Sequence, residues 1–508
     1  MIPVLLILIP LLAGLATFFF RNEKMIRSWA FTSSIVVLVI SLLGLLFFRG
    51  TRWVEHQSAW MSTLGSSLSL RLDGMGQLLC LLTAIAFSLI FLSNWDSLYK
   101  YKKANNFFAL MLLSQAGLMG VFLSMDALLF YFFWELALIP VYFLCSQWGG
   151  ERRIPVTFKF FIYTFVGSLL MLIGILYVAA HTPDRLFSID SFYKANLSFK
   201  EESWLFWLFF IAFAVKMPVF PFHTWQPDTY EQSSTAVTMV LSGVMVKMGI
   251  IGLIRWLLPV FPSAADNWAT VVSTLCVVGI IYASLIAMKQ DDLKRLVAYS
   301  SIAHIGLMCL AVFAHNTIGL QGVMIQMFNH GINIIGLWIL IEMIEKRFGT
   351  RKMSELGGLA QKNPSMAIFF VLIALANIAL PLTNAFVGEF MMFNGIFGSD
   401  VYEGNYTFLG AIKLNANYFS IVYTVCAGLG IILAAVYTLN MIRKVFYGDA
   451  GAGISAGQDI RRYERLALVL IVMLILAMGI YPQPVLNITN DVTDNILKIS
   501  DLAQQVKK

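Results

Sequence analysis

The chain has 508 residues, of which 59% are hydrophobic and 12% charged, with a formal net charge of +7. This composition excludes a soluble globular protein and a nucleic-acid-binding protein, and it predicts an all-α polytopic membrane protein. The five cysteines fall in predicted spans without a CxxC spacing. We expect them to pack as small apolar side chains, with no disulfide, iron–sulfur cluster or metal site.

Hydrophobic runs of about 20 residues recur along the chain and predict fourteen transmembrane helices. The first run, from Ile2 to Phe20, has no basic segment before it, so we expect a retained helix and not a signal peptide. The predicted spans are 2–20, 28–48, 75–94, 106–124, 126–147, 157–180, 203–222, 233–258, 267–288, 297–314, 317–344, 366–395, 415–442 and 466–481.

Lysine and arginine residues are distributed unevenly between the two sets of alternate loops. One set holds 22 of them and the other, with the C-terminal tail, holds 10. Because cytoplasmic loops carry the excess of basic residues, we expect the first set in the cytoplasm and both termini outside, in a bacterial inner membrane.

The residues after helix 13 are predicted to form helix 14, a linker and a surface helix. The pattern Gly451-x-Gly453-x-x-Ala456 is a loose dinucleotide fingerprint, but no strand precedes it, so we expect a flexible linker. From about Pro484 to Lys508, apolar residues recur at helical spacing, which predicts an amphipathic helix lying on the membrane or on a partner. These positions are Val485, Ile488, Val492, Ile496, Ile499 and Leu502.

Several ionisable residues lie inside the predicted spans, where a charged side chain costs roughly 2.5–3.5 kcal/mol on insertion scales. Glu135 has no lysine or arginine within a helical turn, so its partner must come from another helix. One such charge can be part of a structural ion pair, but the cost accumulates, so we favour a functional role for the group. The proposed proton-transfer residues are Glu135, Lys216, Lys247 and Glu389, with His304 and His330 as supporting relay members.

These residue types suit proton transfer. Burial favours the neutral form of a lysine, whereas a nearby carboxylate favours the charged form. Movement of Glu135, or a change in its charge, would therefore switch Lys216 between holding and releasing a proton. Histidine can pass protons through its two ring nitrogens, although a histidine that only packs between helices is an equally good interpretation of His304 and His330.

Four other charged residues near predicted helix ends have simpler explanations. Asp73, Asp126 and Asp228 stand near helix starts, where a carboxylate can cap free N–H groups. Arg255 stands near the outer end of helix 8, from which its side chain can reach the interface.

Prolines interrupt two of the predicted spans beside charged residues. Pro218 and Pro221 follow Lys216 in helix 7, and Pro381 precedes Glu389 in helix 12. The breaks are five helices apart, an odd number, which predicts two inverted five-helix repeats with an ion site near the midplane. The predicted domains are 1–105 (helices 1–3), 106–258 (first repeat, helices 4–8), 267–442 (inverted repeat, helices 9–13) and 443–508 (helix 14 and the surface helix).

Nearly the whole chain resembles a known family. The segments are KMPVFPFHTWQPDTYEQSSTAVTMVLSGVMVKMGIIG, DDLKRLVAYSSIAHIGLM, QMFNHGINIIG and NAFVGEFMMFNGIF. They resemble the antiporter-like proton-channel subunits of respiratory complex I, in particular those with a glutamate in place of the helix 12 lysine. Two positions depart from the family pattern: Ser234 replaces a proline, and Leu382 replaces the glycine after the helix 12 proline.

The resemblance implies a role for each site residue. It makes Glu135 and Lys216 an ion pair, Lys247 the central relay lysine, His304 and His330 members of a hydrated axis, and Glu389 the terminal site. It also implies that the chain itself holds no cofactor. NADH, FMN, iron–sulfur clusters and quinone would belong to partner subunits, and other antiporter-like subunits would flank this chain in the bilayer.

Three alternatives stay open. A subunit of a multi-subunit sodium/proton antiporter or membrane-bound hydrogenase would share this architecture, and Glu389 in place of lysine disfavours it. A stand-alone solute symporter would need a polar substrate cavity, for which the sequence offers no cluster of residues. A non-transporting scaffold would use the buried charges only for packing.

Overall fold

The computed structural model describes residues 1–47, 53–95, 103–402, 406–408, 412–414, 417–448 and 459–507. It is mainly helical, as predicted, and within these ranges eleven helices are long and apolar enough to cross a membrane. Each of the fourteen predicted spans contains helix, but some of these helices are short, so the number of spans stays a prediction. Most of the predicted linker, residues 449–458, lies outside the described residues.

The chain forms two compact units, and the first comprises Met1–Met217, Gln232–Ala264 and Asn487–Lys508. A two-stranded antiparallel hairpin that was not predicted lies between its second and third helices, with Val54 opposite Leu72. The elements belonging wholly or mostly to this unit are α1 Ile2–Thr17, α2 Glu23–Phe47, β1 Val54–Ala59, β2 Ser67–Leu72, α3 Gly74–Ser93, α4 Ala104–Leu123, α5 Ala127–Gln147, α6 Arg153–Ala180, the short α7 Ile189–Phe192, α8 Phe199–Lys216, α10 Thr235–Val260 and the C-terminal α19 Gln483–Lys507.

The second unit comprises Pro218–Glu231 and Ala265–Leu486. Its boundary at Ala264 falls in the predicted gap between the two repeats, and the repeats themselves stay a prediction. The elements belonging wholly or mostly to this unit are the short α9 Gln226–Gln232, α11 Pro262–Lys289, α12 Leu293–Val312, α13 Thr317–Phe348, the short α14 Leu359–Lys362, α15 Pro364–Asn377, α16 Asn384–Phe397, β3 Tyr406–Phe408, β4 Ile412–Leu414, α17 Asn417–Phe446 and α18 Arg462–Ile480.

Helix α13 forms the core of the second unit. It is 32 residues long and its most apolar window is entirely buried. Helices α12, α15, α16 and α18 all pack against it. A polar side chain on α13 is therefore enclosed by protein and must find its partners there.

Aspartates cap two helices of the first unit among the described residues. Asp73 accepts from the Gly76 amide at 2.7 Å, and Asp126 accepts from the amides of Leu128 and Leu129. Capping was correctly predicted for these two. Asp228 lies in the first turn of α9 and pairs with Arg295 at 3.0 Å, and capping by this residue stays a prediction.

The C-terminal segment is helical, as predicted. Its buried face carries Thr489, Thr493, Ile496 and Ser500, whereas Ile488 and Val492 on the apolar side are only half-buried. The helix packs closely on the start of α3, where a Cβ added to Gly74 would lie 1.8 Å from the Ile488 carbonyl oxygen. The amphipathic helix therefore lies against its own chain along a face that is mainly polar but includes Ile496.

Candidate functional site

Lys216 is the last residue of α8. The next turn contains Pro218, which lacks the N–H that would continue the helix. The side chain is 2% exposed, its Nζ has no hydrogen-bond partner among the described residues, and it lies 5.5 Å from the centre of the Trp134 ring. The free carbonyls at a helix C-terminus and an aromatic face both favour a cation. The site can therefore accommodate a charged lysine without a direct anionic partner.

Glu135 lies in the middle of α5 and is half-buried. Glu135 follows Trp134, whose ring adjoins Lys216, but Glu135 and Lys216 make no ion pair within 4.0 Å, and the buried Oε1 of Glu135 has no hydrogen-bond partner among the described residues. The direct ion pair implied by the family resemblance is thus not formed here. Glu135 also borders an open apolar pocket of about 440 Å³ at the surface of the chain, and Trp60 and Phe132 are among the residues that line it.

Lys247 is completely buried in α10, between two π-helical segments, Leu241–Met245 and Leu253–Leu257. Such π-bulges free a carbonyl from the α-helical ladder and often occur at functional sites. Here the Lys247 Nζ donates to the Ser242 carbonyl oxygen at 2.8 Å. The close approach of α10 to α8 requires glycine at Gly249, because a Cβ there would lie 2.6 Å from the Phe213 carbonyl oxygen.

Arg255 is buried, which corrects the prediction that it reaches the interface. Its guanidinium donates to both Asp73 carboxylate oxygens at 2.8 Å and to the Phe122 carbonyl oxygen at 2.6 Å. The Nη2 atom alone bonds both carboxylate oxygens, and this ion pair joins the second π-segment of α10 to the N-terminus of α3. Because each charge has its partner in the other, we interpret the pair as a structural link.

The second predicted break lies between the end of α15 at Asn377 and the start of α16 at Asn384. Pro381 stands in this break, and the residues Ala379 and Leu382 adopt positive φ angles of 57° and 73°. The glycine expected at position 382 would take this conformation without strain, whereas leucine does not.

Glu389, on α16, is buried within a hydrogen-bonded cluster. Its Oε1 shares a 3.0 Å hydrogen bond with the His304 Nδ1 and accepts from the Gln326 Nε2 at 3.3 Å. His304 and His330 have ring centres 5.9 Å apart, and the His330 Nε2 lies 2.9 Å from the Ser301 hydroxyl. The structure thus brings together the three residues predicted for this part of the chain.

A small cavity adjoins this cluster. Its volume is about 20 Å³, and His304, Glu389 and Tyr437 contribute to its wall. Such a space holds one water molecule, which requires at least two polar partners. A water here could exchange a proton with the imidazole or the carboxyl group.

Sequence reasoning missed the polar residues that surround this cluster. Asn377 Nδ2 lies 3.5 Å from the His304 Nε2, and Gln326 binds Glu389 directly. Gln326, Asn329 and Asn333 recur at helical spacing inside an apolar span, a signal that was available in the sequence. No group of three or more His, Cys, Asp or Glu side chains that could hold a metal occurs among the described residues.

Fold and site together define a class: polytopic helical membrane proteins whose interrupted helices carry buried ionisable side chains. The family model described as "NADH:quinone oxidoreductase/Mrp antiporter, TM" matches residues 124–415. NADH-quinone oxidoreductase subunit M of Escherichia coli K12 is 37% identical over 87% of this chain and 85% of its own length. The corresponding protein of Rickettsia prowazekii is 32% identical over 97% of each chain. This chain therefore belongs to the NADH:quinone oxidoreductase/Mrp antiporter transmembrane family.

Solved structures of membrane complexes contain chains with the same fold. A chain of respiratory complex I from Thermus thermophilus aligns with a TM-score of 0.88 and 25% identity, covering 98% of this chain and all of that one. A chain of the Mrp complex from Dietzia sp. aligns with a TM-score of 0.85 at 20% identity, over 100% of this chain and 99% of that one, and shows the fold alone.

Proposed function

We propose that this chain is a proton-translocating subunit in the membrane arm of a bacterial NADH:quinone oxidoreductase. The two sequence relatives reported above are NADH-quinone oxidoreductase subunits, and this chain aligns with 97% and 85% of their lengths. The chain would move protons through Glu135, Lys216, Lys247, His304, His330 and Glu389, driven by electron transfer in other subunits. NADH, FMN, iron–sulfur clusters and quinone would lie in those partners, and other antiporter-like subunits would flank this chain.

One observation carries the proposal: three buried ionisable side chains stand at interruptions of helices. Lys216 ends α8, Lys247 lies between two π-segments, and Glu389 lies in the second turn after the α15–α16 break. In a membrane, irregular backbone is tolerated where it lines a cavity or is enclosed by protein. An interruption beside a buried charge frees backbone groups that can bind water, and water can carry a proton to and from the side chain.

The topology belongs to the proposal as well. Both termini would lie on the outer side of the bacterial inner membrane, because the excess of basic residues falls in the opposite loops. The breaks at Pro218, Pro221 and Pro381 would lie at corresponding places in the two inverted repeats.

The experiment is NADH-driven proton uptake by inverted membrane vesicles that contain the assembled complex with Lys247→Met. We expect proton uptake to be lost, because methionine keeps the volume of the lysine but cannot exchange a proton. Unchanged uptake in a fully assembled complex would overturn the proposal and favour the scaffold.

A second candidate is a subunit of a multi-subunit sodium/proton antiporter, because the Mrp chain has nearly the same fold. The sequence relatives favour the oxidoreductase. Sodium-dependent proton exchange by vesicles without NADH, together with an absence of quinone-reductase genes near this one, would favour the antiporter.

A further inference from the structure

Three side-chain amides form a row along α13. Gln326, Asn329 and Asn333 are three and four residues apart, a spacing that places them on one face of a helix. All three are at least 98% buried. Three buried amides on one face of a membrane helix require hydrogen-bond partners, and the neighbouring break supplies them.

The donor sides of two amides bind the two ends of the α15–α16 break. Asn333 Nδ2 donates to the Ala376 carbonyl oxygen at 3.2 Å, and Asn329 Nδ2 donates to the Asn384 carbonyl oxygen at 2.7 Å. Both partners are backbone carbonyls, which only accept, so the orientation of each amide is fixed. Asn384 Nδ2 returns a 3.5 Å hydrogen bond to the Asn329 carbonyl oxygen.

These bonds constrain where Glu389 lies. Ala376 is in the last turn of α15, where its carbonyl oxygen also accepts from the Ala379 amide at 3.2 Å, and Asn384 is the first residue of α16. Glu389 follows Asn384 by five residues on the same rigid helix. Gln326, the third amide, donates to the Glu389 carboxyl group itself. The row therefore holds both sides of the break and the carboxyl group that the break positions.

The acceptor sides of the same amides are unused. The Oε1 of Gln326 and the Oδ1 atoms of Asn329 and Asn333 are buried and have no hydrogen-bond partner among the described residues. A buried amide oxygen without a partner is costly, and ordered water is the usual partner of such groups in protein interiors. Three acceptors in a row fit water molecules, each of which donates one hydrogen to an amide.

We propose that Asn329 and Asn333 are positioning residues that fix the α15–α16 break, and that the three amide oxygens bind a row of water molecules beside Glu389. This inference rests on the proposed function. It adds two points to that function. Asn329 and Asn333 would set the geometry of the terminal site, and water would be the ligand of the three amide oxygens.

The first test compares Asn333→Leu with Asn333→Asp in the assembled complex. Leucine removes the donor, and NADH-driven proton uptake should fall at least about tenfold at every pH. The new carboxyl group of Asn333→Asp donates to Ala376 only while protonated, so uptake should be retained at low pH and lost as the pH rises. The other titratable groups of this cluster are His304, His330, Glu389 and Tyr437, and parent vesicles at each pH account for their contribution.

The matched control is Asn440→Leu on α17, where the half-buried amide accepts from Arg443 of its own helix. It should pump like the parent. Equal, pH-independent loss in the leucine and aspartate variants would reduce Asn333 to a packing role and overturn the positioning claim. Unchanged uptake in both would overturn it too.

Two further measurements complete the test: a structure of the complex with resolved waters, and NADH-driven proton uptake by the Glu389→Gln variant. We expect a water molecule within hydrogen-bond distance of each of the three amide oxygens. If another group occupies these positions, or if no water lies there, the assignment of water as the ligand is overturned. If Glu389→Gln abolishes uptake and Asn333→Leu does not, only the positioning claim fails. If Glu389→Gln also pumps normally, the proposed function fails at this site.

Discussion

Two of the interrupted helical regions place opposite charges in different surroundings. Lys216, at the end of α8, has an aromatic ring beside it and no hydrogen-bond partner among the described residues. Glu389, after the α15–α16 break, shares hydrogen bonds with His304 and Gln326. Lys216 thus makes no hydrogen bond to a described residue, whereas Glu389 is part of a hydrogen-bonded cluster.

This difference indicates two ways of controlling a proton. The protonation state of a buried lysine without hydrogen bonds depends on nearby charges. We therefore interpret the carboxylate of Glu135 as the group that controls whether Lys216 is protonated. A carboxyl group that is hydrogen-bonded to an imidazole can exchange a proton with it directly. We interpret Lys216 as the controlled site and the Glu389–His304 pair as a transfer site.

The largest effect is expected for Lys216→Met. Positioned acid–base groups typically contribute about 10²–10⁴-fold to a rate, so proton uptake should fall by at least about 100-fold. Lys200→Met, in the first turn of the same helix but exposed, is the matched control and should pump normally. Equal activity of both variants would remove the distinction between the buried lysine and an ordinary surface charge.

A large loss of stability, and not a specific loss of proton transfer, is expected for Arg255→Leu. The change leaves Asp73 charged and buried without its partner, which costs about 3–5 kcal/mol. Less of the chain should appear in assembled complexes, as measured by native gel electrophoresis. Arg71→Leu breaks a partly exposed 3.4 Å pair with Glu55 and should cost only about 0–1 kcal/mol. A well-assembled Arg255→Leu complex that fails only in pumping would place Arg255 among the proton carriers.

An intermediate effect is expected for Glu389→Lys. Either side chain can bind and release a proton, but lysine cannot accept the hydrogen bond from Gln326. Proton uptake should slow by about tenfold or less, equivalent to roughly 1.4 kcal/mol of barrier. Complete loss in a stable complex would show that the hydrogen-bonded carboxyl group is specifically required.

The smallest effect is expected for Leu382→Gly. A leucine at a φ of 73° is strained, and glycine relieves this at some cost in chain entropy, so we expect a net gain of about 1 kcal/mol. The thermal unfolding temperature of the purified complex should rise slightly. Leu380→Gly, in the same break but without a positive φ, should lower it. A decrease for both variants would mean that the strain at Leu382 is unimportant.

Much of this fold follows from the sequence. Long apolar runs fix the approximate positions of the helices, and Pro218 correctly indicates the end of α8, because proline cannot continue a helix. The hairpin β1–β2 was missed, although the alternation SLSLRL in β2 is a strand signal.

Partners distant in sequence could not be predicted. Arg255 binds Asp73 across 182 residues, and neither side chain indicates the other. The missing contact between Glu135 and Lys216 depends on atomic packing, which residue types do not determine. The amides Gln326, Asn329 and Asn333 were visible as a helical row, but their role emerges only from the break that they bind.

The most direct test of the central claim compares Glu135→Gln with Glu135→Asp in assembled complexes, by NADH-driven proton uptake in inverted vesicles. If the charge of Glu135 controls Lys216, Glu135→Gln should abolish uptake, and Glu135→Asp, which keeps the charge, should retain much of it. Normal uptake in an assembled Glu135→Gln complex would contradict the account.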